Sequence, residues 1–379
     1  MSVILAFVII AAACSMITIK NLVGYSDFGP VIKNSVIALV VIGWFGAPIL
    51  YFVGKYDLVT DMTYTSLHQI FYCMLAFMFI LFICLMLRDI FWFILFRLLK
   101  LFDKASWEWD PNNSDKLNKA NLTVIVLSFV ICIYAAWQAN KLPYVEELDF
   151  YSDKIKNNVK IVQISDLHIS RTTSKDRIKS IVDQVNALSP DAIVLTGDTI
   201  GDSINKINSL LDELRELSAP YGIYAIMGDH EYYNNVYDAK KAFEQRGITF
   251  LFNGGATIKV ANIFIAGIPD YSTMAERINL WRTIYKSKKE NYRVLLSHSP
   301  LIVDALSKEL FDIVLSGRTH GGQFFPVHWF VQKLNHYLAG TYKVNDIDLF
   351  VSRGAGTLGP NMRLLAPADI AVINLHAKQ

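Results

Sequence analysis

The chain has 379 residues, 53% of them hydrophobic, and a formal net charge of only +2. A hydrophobic fraction this high, with a positive mean hydropathy, is typical of a membrane-anchored protein rather than of a single soluble domain. The near-zero charge disfavours a nucleic-acid partner, and the sequence has no acidic tail of the kind that stays disordered.

Residues 1–140 contain four apolar runs close to the length of about 20 residues that a membrane-spanning helix requires. The third run continues past Arg88 and Asp89 into an aromatic and basic stretch, which fits either a helix emerging into the interface or one long tilted helix. All four cysteines lie inside these runs, so we predict no disulfide framework and no thiolate metal site in the rest of the chain. The predicted spans are Val3–Ile19, Ser35–Val53, Ile70–Leu87 and Leu122–Ala139.

The distribution of lysine and arginine predicts the orientation of these spans. The first connection carries Lys20 and Lys33, and the third carries six basic residues between positions 88 and 119, whereas the second has only Lys55 beside two aspartates. Because cytoplasmic connections are enriched in basic residues, both termini are predicted to lie outside the cytoplasm. Residues 141–158 are predicted to form a linker, and residues 159–379 a separate domain on the extracytoplasmic side.

From residue 159 onward, short β-rich runs alternate with helical stretches. Strands predicted at 159–165, 192–196 and 222–227, with helices at about 175–188 and 203–217, form a βαβ series. The later strands are closely spaced, as in mixed sheets, so the domain is predicted to be α/β. These later strands are predicted at 248–252, 256–260, 262–267, 293–297, 312–316, 346–352 and 369–375.

Five segments carry a carboxylate or an imidazole just beyond the end of an apolar strand, where the ligand crevice of an open α/β sheet lies. Carboxylates and neutral imidazoles bind divalent cations such as Mn, Fe or Zn, and two such ions clamp both oxygens of a phosphoryl displacement. Each motif alone is weak, because a lone histidine is more often structural, but five in this order are specific. The segments are Asp166-Leu-His168, Gly197-Asp198, Gly228-Asp229-His230-Glu231, Ser297-His298-Ser299 and Gly317-Arg318-Thr319-His320-Gly321-Gly322.

This order of motifs resembles the calcineurin-like metallophosphoesterases, in particular a membrane-anchored bacterial subfamily with a Ser-Arg-Gly-x-Gly tail. The tail is found here at residues 352–356, and the resemblance covers about residues 158–375. It implies a four-layer α/β/β/α sandwich with a dinuclear metal centre, here preceded by an all-α transmembrane region. The four predicted spans, with which membrane-spanning members of the subfamily agree, predict a multi-pass protein of a bacterial inner or cell membrane.

The resemblance implies a role for each motif residue. Asp166, His168 and His320 would bind a first metal ion, and Asp198 would bridge it to a second. His230 would orient the phosphate or protonate the leaving group, and Glu231 matches the acidic residue that follows it. Arg353 and Arg363 match subfamily positions that contact phosphate or pair with carboxylates. The second ion would be bound by Asp198, Asp229 and His298.

Two residues depart from the family pattern, which has Asn in place of Asp229 and His in place of Arg318. A guanidinium stays protonated and cannot bind a cation, so the second ligand set is reduced. In one interpretation, Arg318 pairs with Asp229 and supplies the positive charge of the second ion. In another, a second ion binds weakly through the remaining ligands. In a third, the domain is a degenerate sensor or scaffold that binds a phospholigand without turnover.

We therefore predict a metal-dependent phosphoesterase with one or two divalent ions, in which His230, Arg318 and Asp198 are catalytic. The predicted partners are the lipid bilayer and a phosphorylated, lipid-linked substrate, since a tethered domain meets lipid headgroups at high effective concentration. The resemblance extends to phosphodiesterases and to pyrophosphatases that cleave UDP-diacylglucosamine. Because that substrate is cytoplasmic, it conflicts with the predicted topology.

Overall fold

The computed structural model describes residues 2–24, 26, 28–102, 114–233, 235–270 and 278–378. The chain divides into two compact units, one comprising Met1–Trp137 with Gly359–Met362 and the other Gln138–Leu358 with Arg363–Gln379. Part of the basic connection between the third and fourth predicted spans, residues 103–113, lies outside the described residues.

The first unit is built from four helices that are long and apolar enough to cross a membrane. Their outer surfaces expose large apolar side chains, as expected where lipid is the solvent. The third helix is unbroken over 41 residues, about 60 Å at 1.5 Å per residue. The segment is therefore one unbroken helix, about twice as long as the roughly 30 Å hydrocarbon core of a bilayer. The helices are α1 Ser2–Val23, α2 Pro30–Lys55, α3 Asp61–Leu101 and α4 Ser114–Asn140.

A polar cluster joins α1, α3 and α4. The Arg88 guanidinium donates to Asn21 Oδ1 at 2.7 Å and to Asn121 Oδ1, and it pairs with Asp89. The Asn121 amide in turn donates to the Asn21 carbonyl at 2.9 Å. An ionised group among apolar helices requires such partners, so this cluster fixes the register of three helices against one another.

The second unit contains two six-stranded sheets. The first has the order β1-β12-β2-β3-β4-β5 and the second β10-β11-β9-β8-β7-β6. The strands of the first sheet are β1 Tyr144–Ser152, β2 Val159–Ile164, β3 Ala192–Thr196, β4 Ile223–Ile226, β5 Thr249–Phe250 and β12 Asp369–Ala377. Those of the second are β6 Gly254–Ile258, β7 Ile263–Gly267, β8 Tyr292–Leu296, β9 Ile313–Ser316, β10 Gly340–Val344 and β11 Ile347–Val351.

Three apolar cores separate four layers. One core lies between the first sheet and its outer helices, one between the two sheets, and one on the outer face of the second sheet. The predicted four-layer α/β/β/α sandwich is thus confirmed. The remaining helices are α5 Lys175–Ala187, α6 Ile204–Leu211, α7 Asp229–Tyr233, α8 Val236–Glu244, α9 Leu280–Ile284 and α10 Val327–Asn335, with 3-10 helices at Asp212–Glu216, Pro300–Ala305 and His320–Gly322.

The structure differs from the linker predicted over residues 141–158. Nine of these residues form β1, which pairs in parallel with the whole of β12. Val145 packs on the outer core while Leu148 and Phe150 pack on the core between the sheets, so the strand contributes to both faces. The charged residues that suggested a linker are those of an edge strand, where charge discourages pairing with another chain.

The Gln163 side chain forms hydrogen bonds that join the two sheets. Gln163 lies on β2 with its side chain fully buried, and its amide donates to Thr196 Oγ1 and to the Ser316 carbonyl, both at 2.9 Å. Because Ser316 ends β9 of the opposite sheet, this side chain fixes the relative position of two strands that lead into polar turns.

We predict that Gln163→Ala destabilises the protein, because the Ser316 carbonyl loses a buried donor. The expected cost is about 1–3 kcal/mol, and each kcal/mol lowers the unfolding midpoint of a domain this size by about 2–4 °C. Thermal unfolding of the detergent-solubilised full chain measures the effect. Thr257→Ala, at an exposed position of β6, is the control. Equal midpoints for the two variants would contradict the prediction.

Candidate metal centre

The candidate site lies where strands of the two sheets end. Strands β2, β3 and β4 are parallel neighbours in the first sheet, as are β7, β8 and β9 in the second, so their carboxyl ends share an edge. The turns beyond these ends carry the polar side chains. They hold Asp166 and His168 after β2, Asp198 after β3, Asp229 and His230 after β4, His298 after β8, and Arg318 and His320 after β9.

The backbone is strained at these turns. Asp166, His168, Asp198, Arg318 and His320 all have φ between 46° and 75°, a region that residues with a side chain rarely adopt. Hydrogen bonds between the turns hold them there. The Asp166 N–H donates to the Gly197 carbonyl at 3.1 Å, and the His168 N–H donates to the Asp198 carbonyl at 2.9 Å. Strain of this kind is concentrated where function requires side chains to converge.

At two glycines in the motifs, a side chain of a neighbouring turn lies too close to the backbone for any other residue to fit. A Cβ atom at Gly317 would overlap the Ser165 hydroxyl and the Asp166 carboxylate, and one at Gly228 would overlap the Asp198 carboxylate. Each glycine therefore lets a neighbouring turn bring its carboxylate against the backbone.

The first group of side chains comprises Asp166, His168 and His320, all buried. His168 Nε2 lies 3.0 Å from His320 Nε2, and His320 Nε2 lies 3.5 Å from Asp166 Oδ1. Two nitrogens each about 2.1 Å from one ion, at a right angle, would be roughly 3.0 Å apart. Burial lowers the pKa of His168 to about 3, although Asp198 opposes the shift. The imidazole is therefore neutral, as a metal ligand must be.

Asp198 lies between two imidazoles that come from different sheets. Its Oδ2 atom is 3.5 Å from His168 Nε2 and 3.3 Å from His298 Nε2. Its Oδ1 atom accepts the backbone N–H of His230 at 3.0 Å. Burial alone would raise the pKa of Asp198, but His298 and the other imidazoles outweigh it and lower the pKa. Asp198 is thus an ionised carboxylate in a bridging position.

His298 provides the test of whether the site fits a cation. Its Nδ1 atom lies 2.9 Å from the Thr196 carbonyl, which requires Nδ1 to carry the proton. The fully buried Nε2 atom then faces Asp198 Oδ2 at 3.3 Å and Asp229 Oδ1 at 3.4 Å, and it makes no hydrogen bond within the described part of the chain. Burial lowers the pKa of His298, but these carboxylates raise it well above its usual value. The carboxylates around Nε2 therefore attract positive charge to this position.

Asp229 and Arg318 form the altered part of the site. Arg318 Nη1 donates to Asp229 Oδ1 at 3.0 Å and lies 3.6 Å from Asp270 Oδ1. Asp270 is fully buried three residues beyond β7, and sequence reasoning missed it. Its position after a strand end was the available signal, but no motif surrounds it. Arg318 is thus paired by two carboxylates, while its backbone N–H donates to Asp166.

His230 and Glu231 differ in function although they are adjacent. The His230 ring is half-buried and packs edge-on against the His168 ring, with centroids 4.5 Å apart, so it borders the metal-ligand group. Glu231 is fully buried and accepts N–H groups from Asp198, Ile200 and Gly228 at 2.8–3.0 Å. Glu231 therefore holds the turns in place rather than serving as a ligand.

The two tail arginines bind protein groups. Arg353 pairs with Glu146 at 3.0 Å and with Asp369 at 3.3 Å. Arg363 is fully buried and donates to the carbonyls of Arg353, Gly354, Gly356, Ala366 and His320. Both arginines hold the tail beneath the site. Contact with phosphate and pairing within the protein were the two roles considered for them, and the structure contains the pairing within the protein.

The model of the calcineurin-like phosphoesterase family matches residues 159–323. An uncharacterized metallophosphoesterase of Campylobacter jejuni is 31% identical over 264 residues, which cover 68% of this chain and 70% of that protein. One from Helicobacter pylori is 34% identical over 62% of this chain and 65% of its own length. A Danio rerio transmembrane protein with metallophosphoesterase domain is 27% identical over 68% of this chain and 63% of its own.

The chain thus spans about two thirds of the length of these relatives. The name of the Danio rerio relative combines a transmembrane protein with a metallophosphoesterase domain. The match to the family model includes the strand-end turns of the candidate metal centre, since it ends just beyond His320. This chain belongs to the calcineurin-like metallophosphoesterase family.

Proposed function

We propose that the protein is a membrane-anchored, metal-dependent hydrolase of phosphoester or pyrophosphate bonds in a lipid-linked substrate. The observation that carries the proposal is the position of Asp198 Oδ2, 3.5 Å from His168 and 3.3 Å from His298, with Asp166 and His320 beside it. Ligands of this type suit Mn, Fe or Zn, and such an ion polarises a phosphoryl oxygen and activates water.

Each residue around the ion has a proposed task. Asp166, His168, His320 and Asp198 hold the first ion. His230, half-buried beside His168, donates a proton to the leaving oxygen. Glu231 keeps the Asp198 turn in place through three N–H groups.

Arg318 is proposed to supply the charge of a second ion. Its guanidinium is a quarter exposed and is oriented by Asp229 and Asp270 through Nη1. A planar guanidinium binds phosphate oxygens through two parallel hydrogen bonds, so it can orient a substrate next to the first ion. The pairing of Arg318 with Asp229 favours this interpretation over a second ion held weakly by Asp198, Asp229 and His298.

The four apolar helices, as a membrane anchor, support the proposal of a lipid-linked substrate. Four helices of one chain keep the domain beside a bilayer, which raises the effective concentration of headgroup phosphates. The basic connections predict that the domain faces the extracytoplasmic side of a bacterial inner membrane.

A second candidate function is that of a catalytically degenerate sensor that binds a phospholigand. The observation that favours it is the arginine in place of a ligand residue.

We predict that Asp166→Ala abolishes both metal binding and hydrolysis of bis(p-nitrophenyl) phosphate by the full chain titrated with Mn²⁺. The loss should be at least about 100-fold, because a ligand of the ion is removed. Elemental analysis and initial rates measure it. Asp202→Asn is the control, since Asp202 also follows β3 but pairs with Arg171. A wild type that binds Mn²⁺ without hydrolysing this or any lipid phosphodiester would support the sensor instead.

We predict that the purified wild type holds one tightly bound ion per chain, and that the double variant Arg318→His, Asp229→Asn holds two. The histidine adds a ligand, and the removed guanidinium no longer repels a cation. Elemental analysis after gel filtration counts the ions. Arg318→Ala with Asp229→Asn is the matched control, because it removes the charge without adding a ligand. Two tight ions in the wild type would rule out the one-ion site.

We predict that trypsin added to spheroplasts cleaves the domain without lysis, since Lys286, Lys288 and Lys289 lie in an exposed turn. Immunoblotting of a C-terminal tag detects the fragment. A variant with glutamine at all three positions should lose that fragment and serves as the control. Cleavage that occurs only after lysis would indicate a cytoplasmic domain, and a UDP-diacylglucosamine-type pyrophosphate would then become the favoured substrate.

A further inference from the structure

An exposed apolar surface lies beside the turn that carries His320. We call it the apolar collar and define it by Phe325, Trp329, Phe330, Leu334 and Leu365, whose exposed fractions range from 39% to 66%. Trp329, Phe330 and Leu334 belong to α10, every residue of which is at least partly exposed. A helix in a soluble domain normally buries one face, and α10 does not.

The members of the collar are joined to one another. The Phe325 and Trp329 rings pack at 5.5 Å between centroids, and Phe330 and Leu334 follow on one face of the helix at a spacing of four. The Phe325 N–H donates to the Leu364 carbonyl at 3.1 Å, so Leu365 directly follows a residue that is hydrogen-bonded to the collar. The exposed apolar side chains thus form one surface rather than scattered residues.

Hydrogen bonds join this surface to the end of the fourth membrane helix. The Leu365 N–H donates to Gln138 Oε1 at 3.2 Å, and Gln138 lies in the last turn of α4. Arg177 donates to the carbonyls of Ala139, Asn140 and Lys141 at 2.7–3.4 Å, so that turn is fastened to the domain. The last turn of a membrane-spanning helix lies at the interface between lipid and water, and Leu365 lies beside it.

The side chains suit that environment. Aromatic residues, tryptophan above all, concentrate at headgroup level, and an interfacial helix combines such residues with a lysine that extends to the phosphates. In α10 this lysine is Lys333.

We propose that the apolar collar inserts into the headgroup and upper acyl region of the bilayer that α4 crosses. The turn that carries His320 packs against the helix that carries most of the collar, because a Cβ atom at Gly322 would run into the backbone of His328 in α10. Insertion would therefore bring the His320 turn to the level of lipid phosphates. That consequence rests on the proposed function, whereas the insertion itself does not.

Depth-dependent quenching tests the insertion. In the full chain, with Cys14, Cys73, Cys84 and Cys132 replaced by alanine, Trp329→Cys carries an NBD label and the protein is reconstituted in phosphatidylcholine and phosphatidylglycerol vesicles. We expect the NBD emission to be blue-shifted. We also expect it to be several-fold weaker in vesicles whose lipids carry a doxyl group near the headgroup than in vesicles without doxyl lipids. Phe330→Cys and Leu365→Cys repeat the measurement if the first variant unfolds.

Tyr237→Cys is the matched control. Tyr237 is an 83% exposed aromatic residue on α8, next to β5, whereas the chain from α4 enters the sheet at β1. These edges are five strand spacings apart, roughly 24 Å. A label at Tyr237 should remain in water and unquenched. Equal emission at both positions would overturn the proposal. A blue shift at position 329 without lipid quenching would also overturn it, in favour of a second copy or another protein covering the collar. Neither result depends on catalysis.

Discussion

The rest of the metal centre depends on the convergence of three carboxylates on buried imidazoles: Asp166 and Asp198 are buried, and Asp229 is partly exposed. Asp198 Oδ2 lies within 3.5 Å of nitrogens from both sheets, and no arrangement of this kind is stable in an apolar interior without added positive charge. The left-handed turns, the glycines that admit the carboxylates and the buried Glu231 all hold these groups together against their repulsion. The carboxylates at this edge therefore favour a bound cation.

In the altered half of the site, the positive charge beside the carboxylates comes from Arg318. Asp229 stands where the family pattern has an amide, which adds a negative charge. Arg318 stands where the pattern has an imidazole, which adds a positive charge. Asp270, buried within 3.6 Å of the guanidinium, makes the arrangement a three-member cluster rather than a single pair. An arginine oriented from two sides loses less conformational freedom when it binds a phosphate, which favours a role in positioning substrate.

The sequence predicted the strand ends and the motif residues because apolar runs that end in Asp or His mark the carboxyl edge of parallel strands. It did not predict β1, because the charged residues of an edge strand resemble those of a linker. Asp270 was missed because a single aspartate after a strand carries no motif, and only the folded chain brings it to Arg318. The carbonyl partners of Arg363 were equally hidden, since backbone acceptors leave no trace in side-chain patterns.

A series of hydrogen bonds connects β1 to the turn that carries His320. Only three residues separate α4 from this strand, and β1 pairs along its full length with β12. Asp369, the first residue of β12, accepts the Arg353 N–H at 2.9 Å, and the Arg353 carbonyl in turn accepts Arg363, which also donates to the His320 carbonyl. The position of the His320 turn relative to β1 is therefore set by hydrogen bonds within the second unit.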